Sequence, residues 1–173
     1  NKHKGFDRIL EFCEYFDKEK NKKNFNSVTL NIVGKQTDET KQIFKDLELK
    51  NIKLVFHGFL NDEQLNPFYM NSHFCIFLSR NEGYGLPLVE SMWFKSIPII
   101  SNISIFNELM TDKYPKFDEK TDYTSSIVSF VNKIFNDEKY LKEQKEFIET
   151  IVSKEQAAYE MAATNLIKFI EEL

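Results

Sequence analysis

The stretch Phe74-Cys75-Ile76-Phe77-Leu78-Ser79-Arg80-Asn81-Glu82-Gly83-Tyr84-Gly85-Leu86-Pro87-Leu88-Val89-Glu90-Ser91 decides how the rest of the chain is read. Residues 74–79 are apolar, few and suited to a buried strand. Pro87 can open a helix, because the first helical turn needs no backbone donor there and favours the angle that proline fixes. Between strand and helix lie two glycines separated by one residue. A strand, a glycine turn and a helix N-terminus together aim backbone N–H groups at an anion. In an open α/β sheet, ligands also gather beyond the carboxyl ends of the strands. The amides of Gly83, Tyr84, Gly85 and Leu86 are therefore candidates to hold an anion, since glycine admits a close backbone approach. Glu82 and Glu90 bracket the turn, with seven residues between them.

Outward from this stretch, short β-rich runs alternate with helical spacing. A helix at about 6–16 places Phe6, Ile9, Leu10, Cys13 and Phe16 on one face. A Lys-rich turn leads to a strand at Val28–Val33, ending at Gly34. Thr37 or Asp38 can cap a helix over 39–49 that buries Ile43, Phe44 and Leu47. A strand at 52–56 closes at His57-Gly58, and Asn61 or Asp62 caps a short helix through Tyr69. Beyond the glycine turn come a helix at 87–94, a strand at 97–101 and a short helix that includes Phe106. A helix at 124–135, apolar at Ile127, Val128, Val131, Ile134 and Phe135, precedes two helical stretches at 138–151 and 154–173. Such alternation implies an α/β fold, a parallel sheet flanked by helices on both faces. No repeat or linker divides the 173 residues, and that length suits one sizeable core, so residues 1–173 are read as a single domain.

Composition narrows the classes. A net charge of −4 argues against a nucleic-acid or membrane-surface partner. Seventeen Phe fall on the periodic segments and are read as core. Only Arg8 and Arg80 among the 23 basic residues are arginine, a lysine excess that reads as AT-rich codon usage. Cys13 and Cys75 lie on apolar faces without metal-ligand spacing, which suits reduced thiols in a cytoplasmic protein. No apolar run approaches the ~20 residues that span a bilayer. The absence of an initiator Met leads to the expectation of a fragment of a longer protein.

The Glu-x7-Glu spacing around Gly-Tyr-Gly-Leu-Pro resembles the signature of the family 4, or group 1, retaining glycosyltransferases. Lys4-Gly5-Phe6-Asp7, Ile32-Val33-Gly34, Val55-Phe56-His57-Gly58-Phe59 and Pro98-Ile99-Ile100-Ser101-Asn102 fall where that family's C-terminal, nucleotide-sugar-binding domain would have them. The resemblance covers residues 4–110 in motif and implies the Rossmann-like C-terminal half of a GT-B enzyme, with its first strand truncated. It implies that Glu82 faces the donor sugar's hydroxyls, that Glu90 accepts from the ribose and that Lys4 neutralises the diphosphate. A partner arginine of that lysine would precede Asn1. Gly58 and Phe59 would border the nucleobase, while Ser79 and Gly34 line the same rim.

Each residue also has a plainer reading. Glu82 can be a solvated loop carboxylate, and Glu90 can simply favour the positive end of a helix. Lys4 can be one more surface lysine, and Arg80 can pair with a neighbouring carboxylate instead of touching donor phosphate. Tyr84 reads as wall, and His57 as structural. The family's glycine after the second glutamate is replaced here by Lys95, which fills a left-handed helix end poorly, so a longer turn is expected there.

The resemblance implies transfer of a sugar from a UDP- or GDP-sugar to a glycan, lipid or small-molecule acceptor, with surface polysaccharide assembly as the setting. No Asp-x-Asp occurs, in keeping with a metal-free, cofactor-free mechanism. The acceptor would be held through a second domain, so the fragment alone is expected to be inactive. Peripheral membrane association at the inner face would belong to the longer enzyme only. A GT-B nucleotide-sugar epimerase and a non-catalytic nucleotide-sugar-binding module are the alternatives. A glycosidase pair fits less well, because its two carboxyls must reach the same sugar carbon. No Gly-x-Gly-x-x-Gly follows a strand, which disfavours a dinucleotide oxidoreductase.

Overall fold

Four short strands fall into two parallel pairs in the computed structural model, which describes residues 2–18 and 28–171. The expected Lys-rich turn after the first helix and the final two residues lie outside the described residues. A 3-10 turn at Lys2–Lys4 leads into α1 (Phe6–Lys18). Strand β1 (Val28–Val33), helix α2 (Asp38–Lys45) and strand β2 (Ile52–Gly58) form the first parallel unit, registered from Val28 against Ile52. Helix α3 (Asp62–Asn71) leads to β3 (Phe74–Phe77), α4 (Leu86–Trp93) and β4 (Ile97–Ile100). In this second unit, Phe74 pairs with Ile97. Helices α5 (Ser104–Met110), α6 (Tyr123–Asn136) and α7 (Glu138–Glu171) complete the chain.

Local chemistry explains these boundaries. The Thr37 hydroxyl accepts from the Thr40 amide at 3.1 Å and starts α2. Asn61 and Gln64 form a reciprocal capping box on α3. Strand β4 is buried along its whole length, and the Pro98 carbonyl accepts from the buried Tyr114 hydroxyl at 2.6 Å. The core gathers around β3, β4 and α4, with Leu78, Leu88, Met92, Ile99 and Ile100 almost wholly shielded. Phe130 of α6 supports it with ring contacts to Phe74, Tyr114 and Phe117. The phenylalanine excess is thus mostly packing, although Phe59 is 86% exposed.

Several expectations need correction. Helix α2 stops at Lys45 rather than near residue 49, and Ile43 faces solvent while Phe44 is buried. Phe135 lies on the exposed side of α6. Cys13 is buried, but Cys75 is only partly so. Helix α4 begins at Leu86, one residue before the proline. The two C-terminal stretches are one helix of 34 residues, about 51 Å long at 1.5 Å per residue.

The end of α4 differs most from expectation. No longer turn forms. Lys95 itself takes the left-handed conformation, at φ 63°. Its amide donates to Met92 O at 2.9 Å, and the Ser96 amide donates to Ser91 O at 3.1 Å. These are the two bonds of a Schellman helix end, with lysine in the glycine position. Left-handed backbone costs a side-chain-bearing residue about 1 kcal/mol or slightly more. The exposed Lys95–Glu149 pair offsets little of that. Lys95→Gly is therefore expected to raise the urea midpoint, stabilising the chain by about 1 kcal/mol; an unchanged or lower midpoint would show that the lysine is unstrained.

Candidate active site at the carboxyl ends of the strands

Gly34, Gly58 and the loop of residues 79–85 follow or end β1, β2 and β3, while Lys4 lies on the turn before α1 and Leu86 and Glu90 lie in α4. The β3–α4 loop starts at Leu78, which is buried, and rises through Ser79 to Glu82. The Glu82 carboxylate accepts from the Ser79 hydroxyl at 2.6 Å and from Lys4 Nζ at 2.9 and 2.8 Å. Two residues 78 positions apart in sequence thus form a two-oxygen ion pair. Glu82 is mostly covered, with 17% of its side chain exposed, whereas Lys4 is 55% exposed.

Gly85 supplies the turn into α4. It sits at the N-cap with φ 83°, and a Cβ there would meet the Phe106 ring at 3.1 Å. The positive φ favours glycine, and a side chain would in addition need the Phe106 ring to give by a few tenths of an ångström. Gly83, Tyr84 and Leu86 are exposed. The Tyr84 hydroxyl donates to Glu155 of α7 at 3.1 Å, and this bond pushes the phenol up to about 12. Glu90, one turn into α4, accepts from the Tyr69 hydroxyl at 3.2 Å. Burial, then the neighbouring Glu90 charge, raises Tyr69 well above an ordinary tyrosine. Tyr69 also stacks on Phe94, with ring centroids 5.9 Å apart.

The family model for glycosyl transferases group 1 matches residues 1–151. The chain belongs to this family. The O-antigen chain mannosyltransferase RfbU of Salmonella typhimurium strain LT2 is 32% identical over 114 residues, covering 62% of this chain and 32% of that protein. The serotype-specific mannosyltransferase WbdA of Escherichia coli is 38% identical over 90 residues, half of this chain and 11% of that protein. The chain thus spans about a third or less of these relatives. The catalytic domain of cholesterol-alpha-glucosyltransferase from Helicobacter pylori superposes with a TM-score of 0.63 at 17% identity, covering 89% of this chain and 90% of that one. The C-terminal domain of the group 1 protein LpcC from Francisella tularensis gives 0.64 at 20% identity, covering 92% and 81%. These likenesses establish the GT-B type of α/β fold.

The candidate site residues fall into three groups of contacts. Lys4, Ser79 and Glu82 form one. Gly34 and Gly58 form a second, where the Gly34 amide donates to Gly58 O at 2.6 Å and Phe59 projects just beyond. Glu90 joins a third with Tyr69. His57 bonds Asn31 at 2.9 Å, and its ring lies tilted against Phe68 with centroids 4.3 Å apart. Arg80 pairs with two neighbouring carboxylates. Its Nη1 and Nη2 donate to both oxygens of Asp7 at 2.8 Å, and its Nε donates to Glu119 at 3.1 Å.

Sequence reasoning missed Tyr69, Glu155 and Glu119 as partners of these candidate residues, and gave the buried Arg8 no role. Arg8 Nε donates to Glu119 at 2.7 Å and Nη1 to Leu78 O at 3.2 Å. One signal was available: two arginines among 23 basic residues mark positions where a planar fork matters.

The Arg80 bond holds the Asp7 carboxyl below its ordinary range against the opposing effect of burial, and Arg8 does the same for Glu119. Both folded pKa values are depressed, so the stability these groups contribute is complete above about pH 4.5 and is lost as pH falls through the lowered values. The urea midpoint is expected to drop between about pH 6 and pH 3. Asp7→Asn should lower the midpoint at the upper pH and flatten the acid limb; parallel acid limbs in the two proteins would remove this ion pair as the cause.

Proposed function

We propose that this group 1 chain binds a nucleoside-diphosphate sugar, UDP- or GDP-linked, for a retaining hexosyl transfer in bacterial surface polysaccharide assembly. The observation that carries the reading is the Lys4–Ser79–Glu82 cluster at the mouth of the glycine turn. A cation, a hydroxyl-buttressed carboxylate and a helix N-terminus stand together there. Those are the groups that a diphosphate and a sugar hydroxyl require. The two relatives named as mannosyltransferases support a hexosyl donor.

In this reading, the diphosphate draws Lys4 from Glu82 to its own oxygens. Glu82 then accepts from the sugar hydroxyls, still held by Ser79. The amides of Gly83 to Leu86 face the phosphates, and Glu90 takes the ribose hydroxyls with Tyr69 fixing its carboxylate. Gly34, Gly58 and Phe59 border the base. Negative charge on the departing diphosphate is stabilised by donors already in place, which is electrostatic catalysis by preorganisation. The proposal includes transfer without a metal or cofactor. The lack of an Asp-x-Asp in the sequence supports it. No helix among the described residues is long and apolar enough to cross a membrane. The acceptor, a glycan or lipid-linked chain, is held by a second domain, and the chain alone binds donor without turning it over.

Calorimetric titration with UDP, GDP, ADP and NAD tests the reading. One of UDP or GDP is expected to bind selectively, with Glu90→Ala weakening it about tenfold or more, the size of a lost charged hydrogen bond. Glu82→Gln should spare nucleoside diphosphate binding while abolishing the extra affinity of the intact nucleotide sugar. Binding of NAD alone would refute the donor assignment.

A further inference from the structure

Lys4 and Glu82 lie on segments joined by no continuous element, and a lysine is a poor device for fixing its own position. The backbones beneath them must therefore be held. Three contacts do this directly. The Arg80 amide donates to His3 O at 2.9 Å, Arg8 Nη1 donates to Leu78 O at 3.2 Å, and Gly5 lies flat against the Leu78 carbonyl. The charged side chains on the same two segments add a second layer. Asp7, three residues after Lys4, takes the Arg80 fork through both oxygens at 2.8 Å. Arg80 is two residues before Glu82. Glu119, 39 residues downstream of Arg80, accepts from Arg80 Nε at 3.1 Å and Arg8 Nε at 2.7 Å. Without Glu119, the Arg8 guanidinium, on a residue only 7% exposed, would lose its carboxylate partner.

We propose that the Asp7–Arg80–Glu119–Arg8 network positions Lys4 and Glu82 for the donor, with Asp7, Arg80 and Glu119 as positioning residues. The ligand rests on the donor-binding reading above; the geometry does not. Arg80 acts through Asp7 and Glu119 rather than by contact with phosphate, because its fork is committed to carboxylates.

Two measurements on the whole chain separate the possibilities. The first is amide hydrogen exchange over Ser79–Gly83 without nucleotide. Asp7→Asn and Arg80→Lys should each raise it about tenfold, since lysine keeps the charge but not the fork. Glu119→Gln should do the same and serves where Asp7→Asn is too unstable to study. The second is calorimetric titration with UDP and GDP. Each single variant should weaken the nucleotide that the wild type takes by about three- to tenfold, and the Asp7→Asn/Arg80→Lys double variant should be no weaker than either single one. Unchanged exchange overturns the proposal whatever the nucleotides do. Asp7→Asn binding as tightly as wild type, or tighter, while Arg80→Lys weakens also overturns it, by showing that Arg80 meets the phosphate directly. Raised exchange in a chain that binds neither nucleotide upholds the positioning network and removes the donor reading instead.

Discussion

Gly5 approaches the Leu78 carbonyl so closely that a Cβ built on it would lie 1.9 Å from the oxygen. No rotamer change relieves a clash with backbone, and φ there is +66°, so the position excludes a side chain by both space and angle. The consequence reaches well beyond one contact. It brings the start of α1 down onto the end of β3, so Lys4, Asp7 and Arg8 all meet the β3–α4 loop. The Lys4–Glu82 pair, the Arg80–Asp7 fork and the Arg8 bond to Leu78 O are possible only at that separation. Arg8 also sets the energetic terms. An arginine this buried is costly without a partner, so Glu119 and the carbonyl are needed for the segment to fold as it does.

The same loop is shaped from its other side by the core. Phe106 of α5 stands 3.1 Å from where a Gly85 side chain would begin, so the turn into α4 is pressed against packed aromatic surface. Tyr84 is tethered outward to Glu155 of α7. The β3–α4 loop is thus constrained by α1, α5 and α7, although it spans only a few residues. Preorganised amides stabilise charge without having to move, which is the physical reason such constraint matters in a site of this kind.

Local signals carried most of the fold. The bounds of β1, the Thr37 and Asn61 caps, and the alternation of strands with helices all follow from neighbours within four residues. What failed was also physical. No Gly or Pro interrupts residues 138–171, so nothing local separates the two stretches that are in fact one helix; the faltering apolar period there reflects exposure rather than a break. Ile43 had the spacing of a buried residue, but Phe44 beside it fills the space with ring contacts to Phe6 and Phe56. For the candidate site, motif spacing nominated Glu82, Glu90 and the glycines, yet it could not reveal who holds them. Tyr69, Glu119 and Glu155 reach the site from elsewhere in the chain and leave no periodicity behind. Lys95 shows the reverse, a residue whose local preference is overridden because the two Schellman bonds and the following buried strand fix the backbone around it.

The Lys4–Glu82 pair is asymmetric in a way that bears on how it could work. The carboxylate is mostly covered and tied to Ser79, while the ammonium is more than half exposed. An ion pair open to water contributes about 1 kcal/mol or less. Exchanging Glu82 for another anion therefore costs Lys4 little, and a diphosphate offers more negative charge than one carboxylate. Glu82, by contrast, keeps its hydroxyl partner whichever anion Lys4 chooses. A fully buried pair would resist that exchange by several kcal/mol. In the proposed reading, the pair's place at the rim, with the network of Asp7, Arg80 and Glu119 behind it, leaves the backbone fixed while only the lysine side chain changes partner.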